Sequence, residues 1–320
     1  MTRPAHILAC DLGGTRMKVG VVRDGQVLAQ TCIPANSKAG LVPGLPALAA
    51  EWRQLLNELQ LAPRDCAGIS VALPSIVDAA SGRVLDEYGK YADAMDFSLR
   101  DWARLEFNLP LAIENDARLA LIGEWKYGAG RGSDDVVMIT LGTGIGTSAV
   151  IQGRVLRGQH GQAGVLGGHS TVRYGGRKCS CGNVGCVEAE ASTAFLAELA
   201  RSDSGFAASR LAAEPTLDFA AVFRHAAAGD ACAIKLRDHS LRVWGTLVVN
   251  LIHAYDPEVV VIGGGIMASA DIILPATTEY VRRHAHTPWG LVRIVVGQLG
   301  DNAALVPGQW LLQEQFPDLK

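Results

Sequence analysis

The sequence predicts an α/β protein built as two similar lobes around a central cleft. Three observations predict it. Apolar runs of β type alternate with segments of helical spacing along the whole chain. A unit of strand, glycine turn and strand occurs twice, at Asp11-Leu12-Gly13-Gly14-Thr15 and at Leu141-Gly142-Thr143-Gly144-Ile145-Gly146, each time between β-branched runs. No Ser- or Pro-rich linker interrupts the 320 residues, so two lobes sharing a continuous interface are expected rather than tethered domains.

Taken in order, residues 7–12, 18–22 and 27–33 read as strands, and Asp24-Gly25 between the last two is a tight hairpin signal, so the chain opens with an antiparallel meander. Helical spacing follows over 46–61, then a strand over 68–73 that stops at Pro74-Ser75. A helix over 98–107 leads into an apolar strand over 109–113 that closes in Glu114-Asn115-Asp116. The next helix, 116–127, is stopped by Gly128 and Gly130. Strands over 136–141 and 147–151 flank the second glycine turn, and Gln152-Gly153 closes a further hairpin. Residues 158–185 are too glycine-rich for regular structure. Helices are expected over 188–200, 217–228, 231–253, 268–284 and 303–315, with strands over 259–262 and 292–297.

Composition narrows the function. A hydrophobic share of 49% and a charged share of 19% describe an ordinary folded chain. The formal charge of −3, without a basic run, argues against a nucleic-acid partner, because neutralising phosphates needs clustered Lys and Arg. The early apolar patch, residues 7–10, is cut off by Asp11 and is too short for a secretory signal. Nothing reaches the roughly 18 apolar residues of a spanning helix. A cytoplasmic protein with small-molecule ligands and no membrane partner is expected, as a homodimer.

Asp11-Leu12-Gly13-Gly14-Thr15 sets a carboxylate at a strand end, where it can orient hydrated Mg²⁺, beside two glycines whose backbone can approach a phosphate. The second glycine turn is not a dinucleotide fingerprint. That motif needs a helix directly after the glycines and an acid about 20 residues on, whereas residues 147–151 read as a strand and 159–170 hold no Asp or Glu. With no P-loop sequence either, a second phosphate hairpin remains. Gly263-Gly264-Gly265 after an apolar strand offers a flat backbone surface for ribose or adenine. In Glu114-Asn115-Asp116 a carboxylate can act as general base, and the amide can both donate to and accept from a hydroxyl, although Asp also suits a helix N-cap. Acids and an amide at one strand end, with bare N–H groups at the next, suit a reaction that deprotonates a hydroxyl and hands it a phosphate.

The seven cysteines divide in two. Cys179, Cys181 and Cys186, with His169, offer three thiolates and an imidazole, a set that matches a closed tetrahedral Zn²⁺ site stitching a loop. Cys10, Cys32, Cys66 and Cys232 stand singly in apolar surroundings and read as small core residues.

Together these residues resemble the ROK family (repressor, ORF, kinase) of sugar kinases, within the actin-like ATPase superfamily of ribonuclease H-like fold. The resemblance rests on Asp11 to Thr15, Glu114-Asn115-Asp116, Leu141 to Gly146, and above all C-x-C-G-x-x-G-C-x-E from Cys179 to Glu188. It implies an ATP- and Mg²⁺-dependent kinase for a hexose or derivative, similar to glucokinase or N-acetylmannosamine kinase, with structural zinc. It implies Asp116 as base, and Asn115, His169 and Glu188 on sugar hydroxyls, with His169 also on zinc. Asp11, Gly13, Gly14, Thr15, Gly142, Thr143 and Gly144 would serve the phosphates, and Gly264 and Gly265 would lie beside adenosine. The small lobe would run over 1–117 plus a C-terminal helix, 303–320, and the large lobe over 118–302.

Three departures bear on the substrate. Leu166-Gly167-Gly168-His169 lacks the carboxylate the family carries before its zinc histidine. Ser75 follows Pro74 where the family has glycine, and is assigned to the sugar site. Residues 86–93 replace an Asn- and Trp-bearing sugar loop; Lys90 there reads first as a solvated surface charge, and the sharper hypothesis is that Lys90, with Tyr91 or Asp93, reaches the cleft and replaces the lost sugar contact. The rival reading is a non-catalytic sugar sensor, since part of the family joins this fold to a helix-turn-helix. A first strand by residue 7 and the want of a basic helix favour the kinase.

Overall fold

The computed structural model describes residues 6–86 and 89–319, so Glu87 and Tyr88 of the expected sugar loop lie outside the described residues. The chain divides into two compact units, one of residues up to 131 with 157–163 and 301 onwards, the other of 132–156 with 164–300.

In the first unit, β1 (His6–Leu12), β2 (Arg16–Arg23) and β3 (Gln26–Pro34) form the antiparallel meander. Its second turn places Asp24 and Gly25 at φ 50° and 77°, the left-handed pair that a two-residue hairpin matched to strand twist requires. Helix α1 (Leu45–Glu58) buries Leu45, Leu48, Ala49, Trp52, Leu55 and Leu56, one apolar face at 3.6-residue spacing, in a core with Leu8, Val19 and Val71. Strand β4 (Cys66–Leu73) pairs in parallel with β1. A short hairpin, β5 (Ile76–Asp78) and β6 (Arg83–Asp86), follows; three- and four-residue strands are too brief for alternation to reveal. Helix α2 (Leu99–Phe107) is capped by Ser98, whose hydroxyl accepts from the Asp101 N–H. Strand β7 (Leu111–Asn115) adds in parallel to β4, giving the order β3-β2-β1-β4-β7, and runs straight into α3 (Asp116–Tyr127).

The second unit repeats the plan. Strands β8 (Val136–Leu141), β9 (Ile145–Ile151) and β10 (Arg154–Val155) form its meander. Helices α4 (Val187–Ala191), α5 (Thr193–Arg201), α6 (Phe219–Ala227) and α7 (Ala231–Tyr255) precede β11 (Val259–Gly263), which pairs in parallel with β8 as β4 does with β1. Helix α8 (Ala270–His284) and β12 (Arg293–Val296) complete a sheet of order β10-β9-β8-β11-β12. Helix α9 (Gly308–Gln315) returns to the first unit.

Several expectations are corrected. The helix expected over 188–200 breaks at Ser192, whose extended ψ of 163° diverts the chain so that Thr193 and Ala194 donate to the carbonyls of Gly142 and Thr143. The last helix starts at Gly308 rather than 303, because Pro307 disfavours helical backbone before it; Leu305 instead packs on Ala9 and Val22. A 3₁₀ turn, Gly265–Ser269, precedes α8. Helix α3 belongs to the first unit, not to the lobe starting at 118, and 157–163 rejoin that unit. Cys10, Cys66 and Cys232 are buried as expected, but Cys32 is exposed on β3, an edge strand whose alternate residues face solvent. Among the described residues no helix is long and apolar enough to cross a membrane.

Candidate active site

Strands β1, β4 and β7 run parallel with Asp11 level with Ala72, and Ala72 level with Glu114, so their carboxyl ends share one sheet edge, where ligands of open α/β sheets bind. At the end of β7, Asn115 keeps extended backbone and becomes the N-cap of α3, its Oδ1 accepting from the Arg118 N–H at 3.1 Å. Its Nδ2 donates to Ser75 O and to Asp116 Oδ1, both at 3.2 Å. Both amide hydrogens are thus used, and Asn115 can offer a sugar hydroxyl only an acceptor, not the donor and acceptor read from the sequence.

The two carboxylates of Glu114-Asn115-Asp116 have opposite fates. Glu114 is fully buried, with Oε1 2.7 Å from Arg118 Nη1 and Oε2 2.8 Å from Arg157 Nε; its Oε1 also accepts from the Asn115 N–H at 2.9 Å. It is a structural ion-pair centre. Asp116, half-buried in the first turn of α3, accepts from the Ala117 N–H at 2.7 Å. Burial pushes its carboxyl up to about 6 and the charge of Asp11 adds to this, while the Ala117 N–H and the Lys90 ammonium oppose it. Such a group is ionised at neutral pH yet basic enough to take a hydroxyl proton.

The first glycine turn lies beside it in the same unit. Asp11 is half-buried, its carboxyl raised by burial against the pull of Lys18, whose Nζ is 3.9 Å away. Thr15 is exposed. The loop after β6 engages both Tyr91 and Asp93, the two residues weighed as companions of Lys90 in a sugar contact, with backbone groups. Tyr91 is buried and its hydroxyl donates to Gly13 O at 2.7 Å; the Asp93 carboxylate accepts from the N–H groups of Leu41 and Val42. Lys90 alone brings its charge to the glycine turn. Ser75 is fully buried, and its hydroxyl has no hydrogen-bond partner among the described residues.

In the second unit the glycine turn is held from two sides. Thr193 and Ala194 donate to the carbonyls of Gly142 and Thr143, and Glu188 Oε2 accepts from the Ile145 N–H at 3.0 Å. A Cβ on Gly144 would lie 2.6 Å from that same oxygen, so Glu188 spends one carboxylate oxygen on the turn and its approach needs glycine there. Gly264 sits at φ 93°, and a Cβ there would come within 2.3 Å of Leu141 O, so only glycine lets the two segments close on each other. A cavity of about 230 Å³ results, lined by Gly142, Thr143, Thr193, Asp218, Phe219 and Gly265. It is below the usual volume of a whole-ligand site and suits part of a nucleotide. The sequence pointed to Gly142, Thr143 and Gly265 but missed Thr193, Asp218 and Phe219; Asp218 before an apolar run is legible only as the cap it also is, accepting from the Ala221 N–H.

His169, Cys179, Cys181 and Cys186 place their ligand atoms within 4.8 Å of one another. Tetrahedral zinc with ordinary bond lengths sets sulfurs about 3.8 Å apart and sulfur and nitrogen about 3.6 Å apart. Cys181 Sγ and Cys186 Sγ are 3.8 Å apart, and Cys179 Sγ is 3.6 Å from His169 Nδ1. The donor set therefore fits zinc. Glu190, missed in the sequence, is fully buried behind the loop, accepting from the Arg177 N–H at 2.7 Å and pairing with Arg173.

A profile of the ROK family matches residues 7–315. A glucokinase of Halalkalibacterium halodurans is 31% identical over 317 residues, covering 95% of this chain and 94% of that protein. The crystal structure of a ROK hexokinase from Thermus thermophilus is similar at a TM-score of 0.77 and 30% identity, over 98% of this chain and 99% of that one. That of a ROK family glucokinase from Streptomyces griseus in complex with glucose and AMPPNP gives a TM-score of 0.78 and 27% identity, over 97% and 99%.

Proposed function

The chain belongs to the ROK family, with the family's actin-like ATPase fold, and from that premise we propose that it transfers the γ-phosphoryl group of ATP to a hydroxyl of a hexose or hexose derivative. The observation that carries the proposal is Asp116, a carboxylate raised to about 6 at the end of β7, in the same unit as the first glycine turn. A relative that binds glucose and AMPPNP together supports it.

In this reading Asp116 takes the proton of the acceptor hydroxyl as its oxygen attacks the γ-phosphorus. Asn115 Oδ1 and the buried Ser75 hydroxyl would serve sugar hydroxyls, as would Glu188 and His169. Backbone N–H groups of Gly13, Gly14, Gly142 and Gly144, with the hydroxyls of Thr15 and Thr143, would hold phosphate oxygens, and adenosine would lie beside Gly264 and Gly265, of which Gly265 lines the 230 Å³ cavity. Asp11 would hold the water shell of Mg²⁺, which neutralises phosphate charge when bound. Leu166 stands near the place of the family's carboxylate, so a sugar hydroxyl recognised by that acid loses a partner and the preferred sugar differs. ATP consumption across a panel of hexoses and N-acetylhexosamines tests the proposal. Turnover on at least one member is expected; none on any would sink the kinase and favour a sugar sensor.

Zinc held by His169, Cys179, Cys181 and Cys186 would shape the sugar loop, since a closed site leaves no position for water chemistry. Metal analysis of unchelated protein is expected to find one zinc per chain. Cys181→Ser is expected to lose the metal and weaken sugar binding together, and a zinc-free wild type would remove this role.

A further inference from the structure

We propose that Lys90 is a catalytic residue for the phosphoryl group in flight, a role that rests on the kinase reading and replaces the sugar contact expected for it. The loop carrying it is built around the first glycine turn. Tyr91 donates its hydroxyl to Gly13 O at 2.7 Å and its N–H to Ser37 O at 2.8 Å, while Ser37 Oγ donates to Gly14 O at 2.8 Å. Two carbonyl oxygens that would repel an anion are thereby tied off by hydroxyl donors. Lys90 lies between these anchors, half-buried, with its stem across Gly14: a Cβ built there would be 3.2 Å from Cε and 3.7 Å from Nζ.

The backbone is bent to achieve this. Gly89 is at φ 74° and Tyr91, a residue with a side chain, at φ 58°, a conformation costing on the order of 1 kcal/mol. A solvated surface lysine needs no such construction.

Charge points the same way. Asp11 and Asp116 bring two carboxylates to this sheet edge, and a transferring phosphoryl group adds further negative charge. Lys18, the ammonium at Asp11, is engaged by Asp11 and by Asp301, at 3.9 and 3.4 Å. Lys90 borders the glycine turn on one side and acts electrostatically on Asp116 on the other. That is where a phosphoryl group would pass between a turn-bound nucleotide and a hydroxyl held at Asp116. In the step the sugar oxygen–phosphorus bond forms, the bond from phosphorus to the β-bridging oxygen breaks, ADP leaves with that electron pair, and the hydroxyl proton goes to Asp116. The equatorial oxygens keep their charge throughout, and an ammonium preset beside them lowers the barrier without reorganising.

Steady-state kinetics of Lys90→Gln, Lys90→Met and Lys90→Arg on the best sugar test this. The two neutral variants are expected to lose about 10²-fold or more in kcat. Their sugar KM should stay within about twofold of wild type, and Lys90→Arg should recover part of the rate. The acidic limb of kcat/KM should move to higher pH in the neutral variants, because a cation that lowers the Asp116 carboxyl is gone while Asp11, set among Lys18, Arg16 and Asp301, still faces it. Thermal melting separates folding from function, and either neutral variant suffices if the other unfolds. A raised sugar KM with unchanged kcat would return Lys90 to the sugar, and unchanged kinetics would return it to solvent; each overturns the proposal while the kinase stands. A wild type without turnover on any sugar would overturn both.

Discussion

Asp116→Asn is expected to lower kcat by about 10²- to 10⁴-fold, the usual worth of a positioned base, while making the protein more stable at neutral pH. Both effects have one source. Burial and the charge of Asp11 raise the carboxyl from 3.8 to about 6. The folded state therefore binds this proton more tightly than the unfolded chain does. The stabilisation is complete below the unfolded value of 3.8 and is lost as pH rises through 6. Above that the ionised carboxylate costs the fold on the order of 2 kcal/mol, allowing for its residual contact with solvent. Asparagine carries no charge and escapes the cost. Urea denaturation at pH 8 should favour the variant, with the difference closing near pH 3. Wild-type kcat/KM should fall as pH drops below about 6. An Asp116→Asn enzyme as active as wild type would remove Asp116 from the mechanism.

Glu114→Gln is expected to cost about 3–5 kcal/mol, a large share of the stability of a typical domain. Arg118 is fully buried, and its guanidinium also donates to the carbonyls of Gly161 and Ala163, which bind 157–163 to the first unit. Without the carboxylate a buried cation keeps only neutral partners, and Arg157 is left to Glu314 on α9. Denaturant midpoints should fall accordingly, and limited proteolysis should find the 157–163 segment more open. The folded fraction should keep kcat within about tenfold of wild type, because Glu114 touches no reacting atom. A loss below about 1 kcal/mol would show that the pair is not the structural centre proposed.

These two neighbouring carboxylates mark the limit of reading by sequence. Glu114 and Asp116 look equivalent in the chain, and the apolar run before them shows only that a strand ends there. What separates them is that Arg157, 43 residues away, meets one and Asp11, on another strand, acts on the other. The loop after β6 gives the same lesson. Lys90 was the candidate for a sugar contact with Tyr91 or Asp93 beside it, and backbone groups at Gly13 and at Leu41 and Val42 claim both companions.

The sequence by itself determined the α/β class, the two meanders and their glycine turns, the strand that ends in Glu114-Asn115-Asp116, and the cysteine–histidine set. Each follows from local periodicity, from backbone that only glycine or a short polar residue tolerates, or from ligand chemistry carried within one stretch. Tertiary structure alone decided the break at Ser192, the late start of α9, the exposure of Cys32, the wall that Asp218 and Phe219 give the cavity, and the burial and charge that raise the Asp116 carboxyl while Glu114 is ion-paired. Those depend on which distant groups remove water, donate a hydrogen bond or place a charge beside each residue, and no local pattern encodes partners tens of residues away.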